Sequence, residues 1–163
     1  MSQAPASSRR SLPLLLMQTR ETVMGYFRPL LREHGVSEQQ WRVIRALKAQ
    51  GPMETTKLAD LCSLHGPSLS GMLTRMEAAE LISRTRLQED QRKFRIALLP
   101  RAEALFEAMR EGMEQQYREI EARLGAEELE QPYAVLDATM ARLESAQDPM
   151  DTGDKDHYGP AEN

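Results

Sequence analysis

The first apolar pattern along the chain predicts a long helix. Between residues 14 and 33 the apolar positions recur every three or four residues, as in an amphipathic helix. They are Leu16, Val23, Met24, Phe27, Leu30 and Leu31. Pro29 lies inside this pattern and cannot donate a hydrogen bond to the Gly25 carbonyl, so we expect a kink there. His34 and Gly35 end the helix.

A second helix is predicted directly afterwards. Ser37 and Gln40 have the spacing of a capping box, in which each residue satisfies a backbone N–H of the other. The helix buries Trp41, Ile44 and Leu47 and stops before Gly51 and Pro52.

Two short helices then follow in quick succession. The first covers residues 54–62, and Pro67 is well placed as the first residue of the second, which extends to residue 80. The apolar sides of the two helices consist of Leu58, Ala59, Leu61 and Cys62, and of Leu69, Met72, Leu73 and Met76. Two helices of this size joined by a tight turn form a helix-turn-helix.

The apolar period next changes from helical to alternating. Residues 94–98 alternate apolar and outward positions, as a strand does, and residues 81–86 are a plausible partner strand. Residues 87–93 form the polar loop between them. A helix-turn-helix followed by a small hairpin predicts an α+β, mainly helical fold, the winged helix-turn-helix. The hairpin of residues 81–98 is its wing.

Helical spacing returns after Pro100 and continues to Gly125, which fits a helix end. A heptad pattern then runs through Leu129, Tyr133, Leu136, Met140 and Leu143, and Pro132 favours its division into two pieces. Together with the first helix, these segments carry more apolar surface than one small winged helix can cover. We therefore expect N- and C-terminal helices to form the dimerisation arm of a homodimer.

Charge is distributed unevenly over the 163 residues, whose formal net charge is −4. The last twenty residues hold six acids and one base, which leaves 20 bases and 19 acids in the rest of the chain. Residues 63–101 hold seven bases against four acids, so the acidic total hides a locally basic segment. No apolar run is long enough to span a bilayer, and a single cysteine excludes an internal disulfide framework. We expect a cytoplasmic protein.

The outer face of the second short helix suits a DNA major groove. It presents small hydroxyls, a glycine and one arginine, where a merely solvated face would carry more Glu and Lys. The residues of this face are Pro67, Ser68, Ser70, Gly71, Thr74 and Arg75.

The hairpin adds cations beside that helix. Arg92 and Lys93 lie near the tip of the loop, and Arg84, Arg86 and Arg95 extend a basic strip along the strands. Arginine in such a loop can enter a narrow minor groove. We expect Asp90 to hold the Arg92 guanidinium by a charge-assisted hydrogen bond.

These segments resemble the MarR family of bacterial regulators. The resemblance rests on Leu58-Ala59, on Leu73-Thr74-Arg75-Met76-Glu77, on Leu81-Ile82-Ser83-Arg84 and on Asp90-Gln91-Arg92-Lys93. Three further stretches resemble the subgroup that regulates homoprotocatechuate (hydroxyphenylacetate) degradation operons. They are Gln18-Thr19-Arg20-Glu21, Tyr26-Phe27-Arg28-Pro29 and Glu38-Gln39-Gln40-Trp41-Arg42.

The resemblance implies a dimeric repressor that leaves a near-palindromic double-stranded DNA operator when it binds a small phenolic or aromatic acid. It also implies that Arg92 is the wing arginine and Asp90 its partner. The chain departs from the family at two turns. Ala79-Glu80 stands where a glycine is usual before the first wing strand, and Leu99-Pro100-Arg101-Ala102 stands in place of a Thr-x-x-Gly pattern.

A carboxylate effector needs a cation beside an apolar slot with an aromatic wall. Arg20, Met24 and Phe27 on the first helix, with Trp41 and Arg45 on the second, can supply those groups. The alternative is that Trp41 belongs to the core and that the two arginines form surface ion pairs.

Other functions find less support in the sequence. The three histidines lack metal-ligand spacing, no cofactor motif occurs, and we expect no enzyme. Two alternatives stay open. One is a helical protein-interaction module that ignores DNA, and the other is a redox-sensing regulator that acts through Cys62.

We divide the chain accordingly. Residues 1–11 form a disordered arm, residues 12–36 and 100–145 the dimerisation helices, residues 37–99 the DNA-binding domain, and residues 146–163 a disordered acidic tail.

Overall fold

The computed structural model describes residues 10–64 and 67–147. The elements are α1 Leu12–Glu33, α2 Glu38–Gln50, β1 Met53–Glu54, α3 Thr55–Cys62, α4 Pro67–Ala78, β2 Ile82–Arg86, β3 Phe94–Leu98, α5 Pro100–Leu124 and α6 Ala126–Gln147. The chain divides into two compact units, one that ends at Arg118 and one that begins at Glu119. The predicted arm and tail lie outside the described residues, except at their inner ends. The predicted fold, mainly helical with a small antiparallel sheet, is confirmed.

Helix α1 begins one residue after Ser11, whose hydroxyl accepts a hydrogen bond from the Leu14 backbone N–H at 3.4 Å. Ser11 is therefore a helix cap and not part of a disordered arm. The helix runs unbroken through Pro29 to Glu33, and the kink that we expect there stays a prediction.

Helix α2 starts with the predicted capping box. The Ser37 hydroxyl accepts from the Gln40 N–H at 3.2 Å, and the Gln40 side chain accepts from the Ser37 N–H at 2.9 Å. The helix buries Trp41, Val43, Ile44 and Leu47 and ends at Gly51, whose φ of 75° suits glycine.

The end of α4 differs from the prediction, because the helix stops at Ala78 and not at residue 80. Glu80 has a φ of 57°, in the left-handed region. The Glu80 and Leu81 N–H groups donate to the carbonyls of Glu77 and Met76, both at 2.9 Å, and so close the helix end. Glu80 thus occupies a position that favours glycine.

The sheet has three antiparallel strands in the order β1-β3-β2. In the predicted hairpin, Ile82 pairs with Leu98, Arg84 with Ile96 and Arg86 with Phe94. Sequence analysis missed β1, a two-residue strand whose Met53 pairs with Ile96. Strand β1 therefore lies along the edge of β3 that does not face β2.

The core of the first unit joins the helix-turn-helix to the sheet. Its fully buried side chains include Ile44, Leu58, Leu73, Met76, Ile82 and Ile96. Helix α5 approaches α1 closely at Gly112, where a Cβ atom would lie 2.8 Å from a Leu30 methyl carbon. Because Gly112 has no side chain, these two helices can pack at this distance.

In the second unit, α6 is one continuous helix through Pro132, so the division that we expected there is wrong. Both units expose large apolar side chains. In α1 these are Leu12, Leu14, Leu15, Leu16, Met17 and Val23, and in the second unit Leu124, Tyr133, Val135, Leu136, Met140 and Leu143. None of the described helices combines the length and apolar content needed to cross a membrane.

Candidate nucleic-acid interface and ligand site

Helix α4 presents a small, polar outer face. Leu69, Met72, Leu73 and Met76 are buried on its inner side. Ser70, Thr74 and Arg75 are exposed and Gly71 is half-buried, while the side chains of Pro67 and Ser68 lie outside the described residues. The predicted inward and outward faces of this helix agree with the structure wherever it describes them.

The Thr74 hydroxyl on this face is already engaged. It donates to the Ser70 carbonyl at 3.0 Å and accepts from the Arg84 guanidinium at 3.3 Å. A hydroxyl has one proton to donate, so in this arrangement Thr74 can offer DNA only its remaining acceptor capacity.

Arg84 lies against the protein and not on an open basic strip. Its side chain is 18% exposed, and its guanidinium carbon lies 4.6 Å from the centre of the Phe94 ring. Its Nη1 atom is 3.9 Å from the Glu77 carboxylate, and its buried Nε has no partner among the described residues. Arg84 therefore joins the outer end of α4 to the hairpin.

The other hairpin arginines do not form one strip. Arg86 is exposed and lies 5.6 Å from the centre of the Phe94 ring, on the same face of the sheet as Arg84. Arg95 is also exposed, but it pairs with Thr85 and so points to the opposite face. The prediction of a single strip is wrong because successive side chains of a strand alternate between its faces.

Asp90 organises the wing loop through the backbone. Its carboxylate accepts a hydrogen bond from the Arg92 main-chain N–H at 2.9 Å, and its carbonyl accepts from the Lys93 N–H at 3.0 Å. We expected Asp90 to hold the Arg92 guanidinium, which is wrong, because an aspartate in a turn readily bonds the backbone two residues on. The Arg92 side chain is exposed.

A groove of about 360 Å³ lies between the start of α3, the outer face of α4 and the wing. Its walls carry three cations, three hydroxyls and one carboxylate: Arg84, Arg92 and Lys93; Thr55, Thr56 and Ser70; and Glu54. The Lys93 ammonium pairs with the Glu54 carboxylate at 3.1 Å. The groove is concave and has an excess of positive charge, as a binding surface for a phosphate backbone requires.

Part of the predicted effector site is assembled by α1, α2 and α5. The Phe27 ring is buried and lies 4.9 Å from the Tyr117 ring, tilted by 56°. Arg45 is exposed and donates from Nη1 to the Tyr117 hydroxyl at 2.8 Å. Sequence analysis did not single out Tyr117 as a site residue, because nothing in the local pattern links it to a residue 72 positions away. Met24 is half-buried, one turn before Phe27.

Trp41 belongs to a neighbouring aromatic stack. It is buried, and its ring lies 5.5 Å from the Phe106 ring with an interplanar angle of 17°. Trp41 is thus a core residue that also forms part of the contact between α2 and α5.

Arg20 is held in a surface ion network. Its two terminal nitrogens contact Glu21 at 2.8 Å and Glu38 at 2.5 Å, and Arg28 contacts the same two carboxylates. Partial burial raises the pKa of Glu38, but hydrogen bonds from Arg28 and Arg20 outweigh it and hold this pKa below its usual value. Arg20 thus forms surface ion pairs, which sequence analysis gave as the alternative to a role in the effector site.

Cys62 is buried in α3, and its carbonyl accepts a hydrogen bond from Arg42 at 2.6 Å. Burial raises the pKa of the Cys62 thiol, although the charge of Arg42 acts in the opposite direction. Since the thiolate is the reactive form, this environment disfavours a redox role.

Comparison with known proteins identifies the family to which this chain belongs. Residues 36–94, which contain the helix-turn-helix and most of the hairpin, match the MarR family. The chain belongs to the MarR family and is a winged-helix, DNA-binding transcriptional regulator.

Individual relatives narrow the resemblance. The chain is 39% identical to the homoprotocatechuate degradative operon repressor of Escherichia coli over 138 residues, 85% of this chain and 93% of that protein. The transcriptional regulator PA4135 has 40% identity and a TM-score of 0.79, over 82% of this chain and 98% of that one. NadR in complex with 4-hydroxyphenylacetate has 34% identity and a TM-score of 0.70, over 88% and 96%. The family and the subgroup predicted from sequence are confirmed.

Proposed function

We propose that this chain is a homodimeric repressor of an aromatic-acid degradation operon, and that a small phenolic acid releases it from its operator. The observation that carries the proposal is the cluster of Arg45, Tyr117 and Phe27, which combines a cation, a phenol and an aromatic wall. Two relatives support this proposal. The E. coli protein is the repressor of a homoprotocatechuate degradative operon, and NadR binds 4-hydroxyphenylacetate. A regulator of this kind acts on DNA in the cytoplasm and catalyses no reaction.

DNA binding takes place through α4 and the wing. We place α4 in the major groove, where its exposed hydroxyls and Arg75 reach base edges or phosphates. Arg92 enters the adjacent minor groove, and Arg86, Lys93 and Arg95 contact the backbone. Asp90 and Arg84 support these contacts from within the protein.

A second copy of the chain covers the exposed apolar side chains of α1 and α6. Each of these helices exposes five or more large apolar residues, which a stable protein of this size normally buries. Two copies related by a twofold axis then present their α4 helices to half-sites about one helical turn apart.

The effector carboxylate binds Arg45. In this structure Arg45 donates to the Tyr117 hydroxyl, and none of the described carboxylates pairs with it. A carboxylate offers a stronger, charge-assisted partner with two acceptor oxygens. The aromatic ring of the ligand then packs against Phe27 and Met24.

Release follows from a change in the contact between Arg45 and Tyr117. Arg45 is on α2, in the predicted DNA-binding domain, and Tyr117 is on α5, in the predicted dimerisation helices. A ligand that binds Arg45 and packs between these helices favours a different spacing of the two α4 helices, whereas loss of the bond without a ligand leaves the spacing of the free protein unchanged. A tenfold loss of operator affinity needs only about 1.4 kcal/mol of coupling.

The test measures binding of the purified protein to DNA from upstream of its own gene, across salt concentrations. It is repeated with 4-hydroxyphenylacetate and its 3,4-dihydroxy analogue. We expect specific binding that weakens with salt and is relieved by either acid. The Arg45→Ala variant should bind the operator normally. It should respond at least about tenfold less to the acid, because it lacks the cation that binds the carboxylate of the acid.

Arg32→Ala is the matched control, since it removes an arginine of α1 that the proposed site does not use. Specific binding that neither acid relieves would remove the effector from the proposal and leave the repressor. If the acid still releases the Arg45→Ala variant fully from the operator, the effector binds at another site. Absence of specific binding, even after a wider search for operators, would favour the protein-interaction module.

A further inference from the structure

The turn between α3 and α4 contains a residue in an uncommon backbone conformation. Ser63 follows the last residue of α3 and has φ and ψ angles of 48° and 50°, in the left-handed region. Among the described non-glycine residues, only Glu80 also has a positive φ. In this region the Cβ atom of an L-residue lies too close to the following carbonyl oxygen, so serine adopts it at a cost that glycine does not have.

The direction in which the chain leaves α3 depends on this conformation. The Ser63 N–H donates to the Asp60 carbonyl at 3.1 Å, and the Leu64 N–H donates to the Ala59 carbonyl at 2.9 Å, as at helix ends that carry a left-handed residue. Helix α4 begins only four residues after Ser63, at Pro67. A different backbone conformation at Ser63 would therefore turn the start of the helix that we place in the major groove.

Arg42 holds the peptide group that leads into this residue. From α2, its Nη1 atom donates to the carbonyl of Cys62, the last residue of α3, at 2.6 Å. This carbonyl has no partner within its own helix, and a cation at this end of a helix is favourable. It belongs to the peptide bond between Cys62 and Ser63. Since a rotation of that peptide group changes φ of Ser63, a bond that holds the carbonyl also holds φ.

The rest of the Arg42 side chain extends from the core. Arg42 is half-buried, and the neighbouring Val43 and Ile44 are fully buried. The Nε atom of Arg42 is buried and has no hydrogen-bond partner among the described residues. An unpaired buried donor is costly, so packing alone would favour an apolar residue at this position. The bond from Arg42 to the end of α3 is what an apolar residue could not supply.

We propose that Arg42 is a positioning residue for DNA binding, which holds Ser63 in the left-handed conformation and so keeps α4 at the angle that the operator requires. The inference rests on the proposed function, in that α4 contacts the operator. Without the bond from Arg42, Ser63 leaves this conformation in most free molecules. The operator then binds only the remaining fraction, and the apparent affinity falls in proportion to that fraction.

The experiment uses the full chain and a duplex that the wild-type protein selects from a random library. Fluorescence anisotropy gives the affinity at several salt concentrations, at a temperature well below thermal melting. Arg42→Met removes the guanidinium but keeps an unbranched side chain. It should lower the affinity about tenfold, the penalty that a left-handed residue with a Cβ atom typically carries. The salt slope should not change, because the proposed role includes no contact with a phosphate.

Two further variants test the route through Ser63. Arg42→Lys keeps a cation that can donate to the Cys62 carbonyl, so it should lose no more than about threefold in affinity. Ser63→Gly allows the turn to form without help, because glycine adopts positive φ about as readily as negative φ. Ser63→Gly alone should bind the operator as the wild type does. In the Ser63→Gly background, Arg42→Met should lose no more than about twofold.

Glu80→Gly is the matched control, because it relieves the same kind of strain at the opposite end of α4. It should leave the effect of Arg42→Met on operator affinity unchanged. Equal rescue by Glu80→Gly and Ser63→Gly would attribute the effect to general stability and overturn the inference.

Three other results would also overturn it while the proposed function stands. One is an Arg42→Met variant that melts at a lower temperature but binds the operator as the wild type does. Another is a salt slope reduced by about 0.9, which would make Arg42 a phosphate contact. The third is an equal loss of affinity with and without Ser63→Gly. Failure of the wild-type protein to enrich any duplex would overturn the proposed function and this inference with it.

Discussion

At the scale of single residues, the cations near the outer face of α4 fall into two groups. Arg92 is exposed and free to move toward DNA, whereas Arg84 is enclosed by Thr74, Glu77 and Phe94. Both are arginines of the wing, and the sequence pattern alone does not distinguish them. From these environments we propose different tasks for them, DNA contact for Arg92 and positioning of α4 for Arg84.

Substitution by alanine should distinguish these tasks. Arg92→Ala should weaken operator binding and reduce the salt slope by about 0.9, with the dimer and the melting temperature unchanged. Arg84→Ala should lower the free energy of unfolding by about 1–2 kcal/mol, because it removes a cation–π contact and a hydrogen bond from a mostly buried position.

Binding titrations and thermal melts of both variants provide the measurements. Arg84→Lys is the matched control: it keeps the charge but cannot reproduce the planar stacking on Phe94, so it should recover only part of the stability. Unchanged operator affinity in Arg92→Ala would refute the minor-groove role of this arginine.

At the scale of elements, the end of α4 contains a residue in an unfavourable conformation. Glu80 has a φ of 57°, which places its Cβ close to the following carbonyl oxygen. Its side chain is 79% exposed and lies 4.0 Å from Arg101, a separation at which an exposed pair contributes little. This side-chain contact therefore does little to compensate for the backbone strain, and the backbone hydrogen bond of residue 80 does not need a side chain.

Glu80→Gly should therefore stabilise the protein by about 1 kcal/mol, because glycine adopts this conformation without the steric penalty. Chemical denaturation should show a higher midpoint with an unchanged slope. Glu80→Ala removes the same carboxylate but keeps a Cβ, so it should give no comparable gain. Equal stabilisation by both variants would attribute the effect to charge and not to the backbone.

The elements themselves were largely predictable from the sequence, since their signals are local. The capping box of α2 and the apolar side of α4 each depend on residues within one or two helical turns. Strand β1 was not predictable, because two residues are too few to show a period. The inward position of Arg84 and the bond between Arg45 and Tyr117 depend on how distant segments pack, which no local spacing records.

At the scale of the whole molecule, exposed apolar surface is the feature that most requires a partner. In the second unit it includes Leu136 and Leu143, which also lie on the heptad pattern of α6. A double substitution, Leu136→Glu with Leu143→Glu, should raise the dimer dissociation constant by more than about a hundredfold. The new carboxylates would otherwise be buried in the dimer at a cost of at least about 1.4 kcal/mol per subunit, or about 2.8 kcal/mol for the two subunits.

Sedimentation velocity over a range of concentrations measures this change, and operator binding should be lost in parallel. Ala138→Glu introduces a carboxylate at an exposed position of α6 outside the heptad pattern and should leave the dimer intact. A double variant that stays dimeric would show that α6 is not the dimerisation surface.

The stack of Trp41 on Phe106 has a practical consequence for studying this protein in solution. The chain contains one tryptophan, so all of its indole emission originates at the contact between α2 and α5. The Arg45–Tyr117 bond joins the same two helices one turn further along α2. The native chain thus contains an intrinsic optical reporter at the junction through which an effector would act, and titrations can follow that junction without a dye or a label.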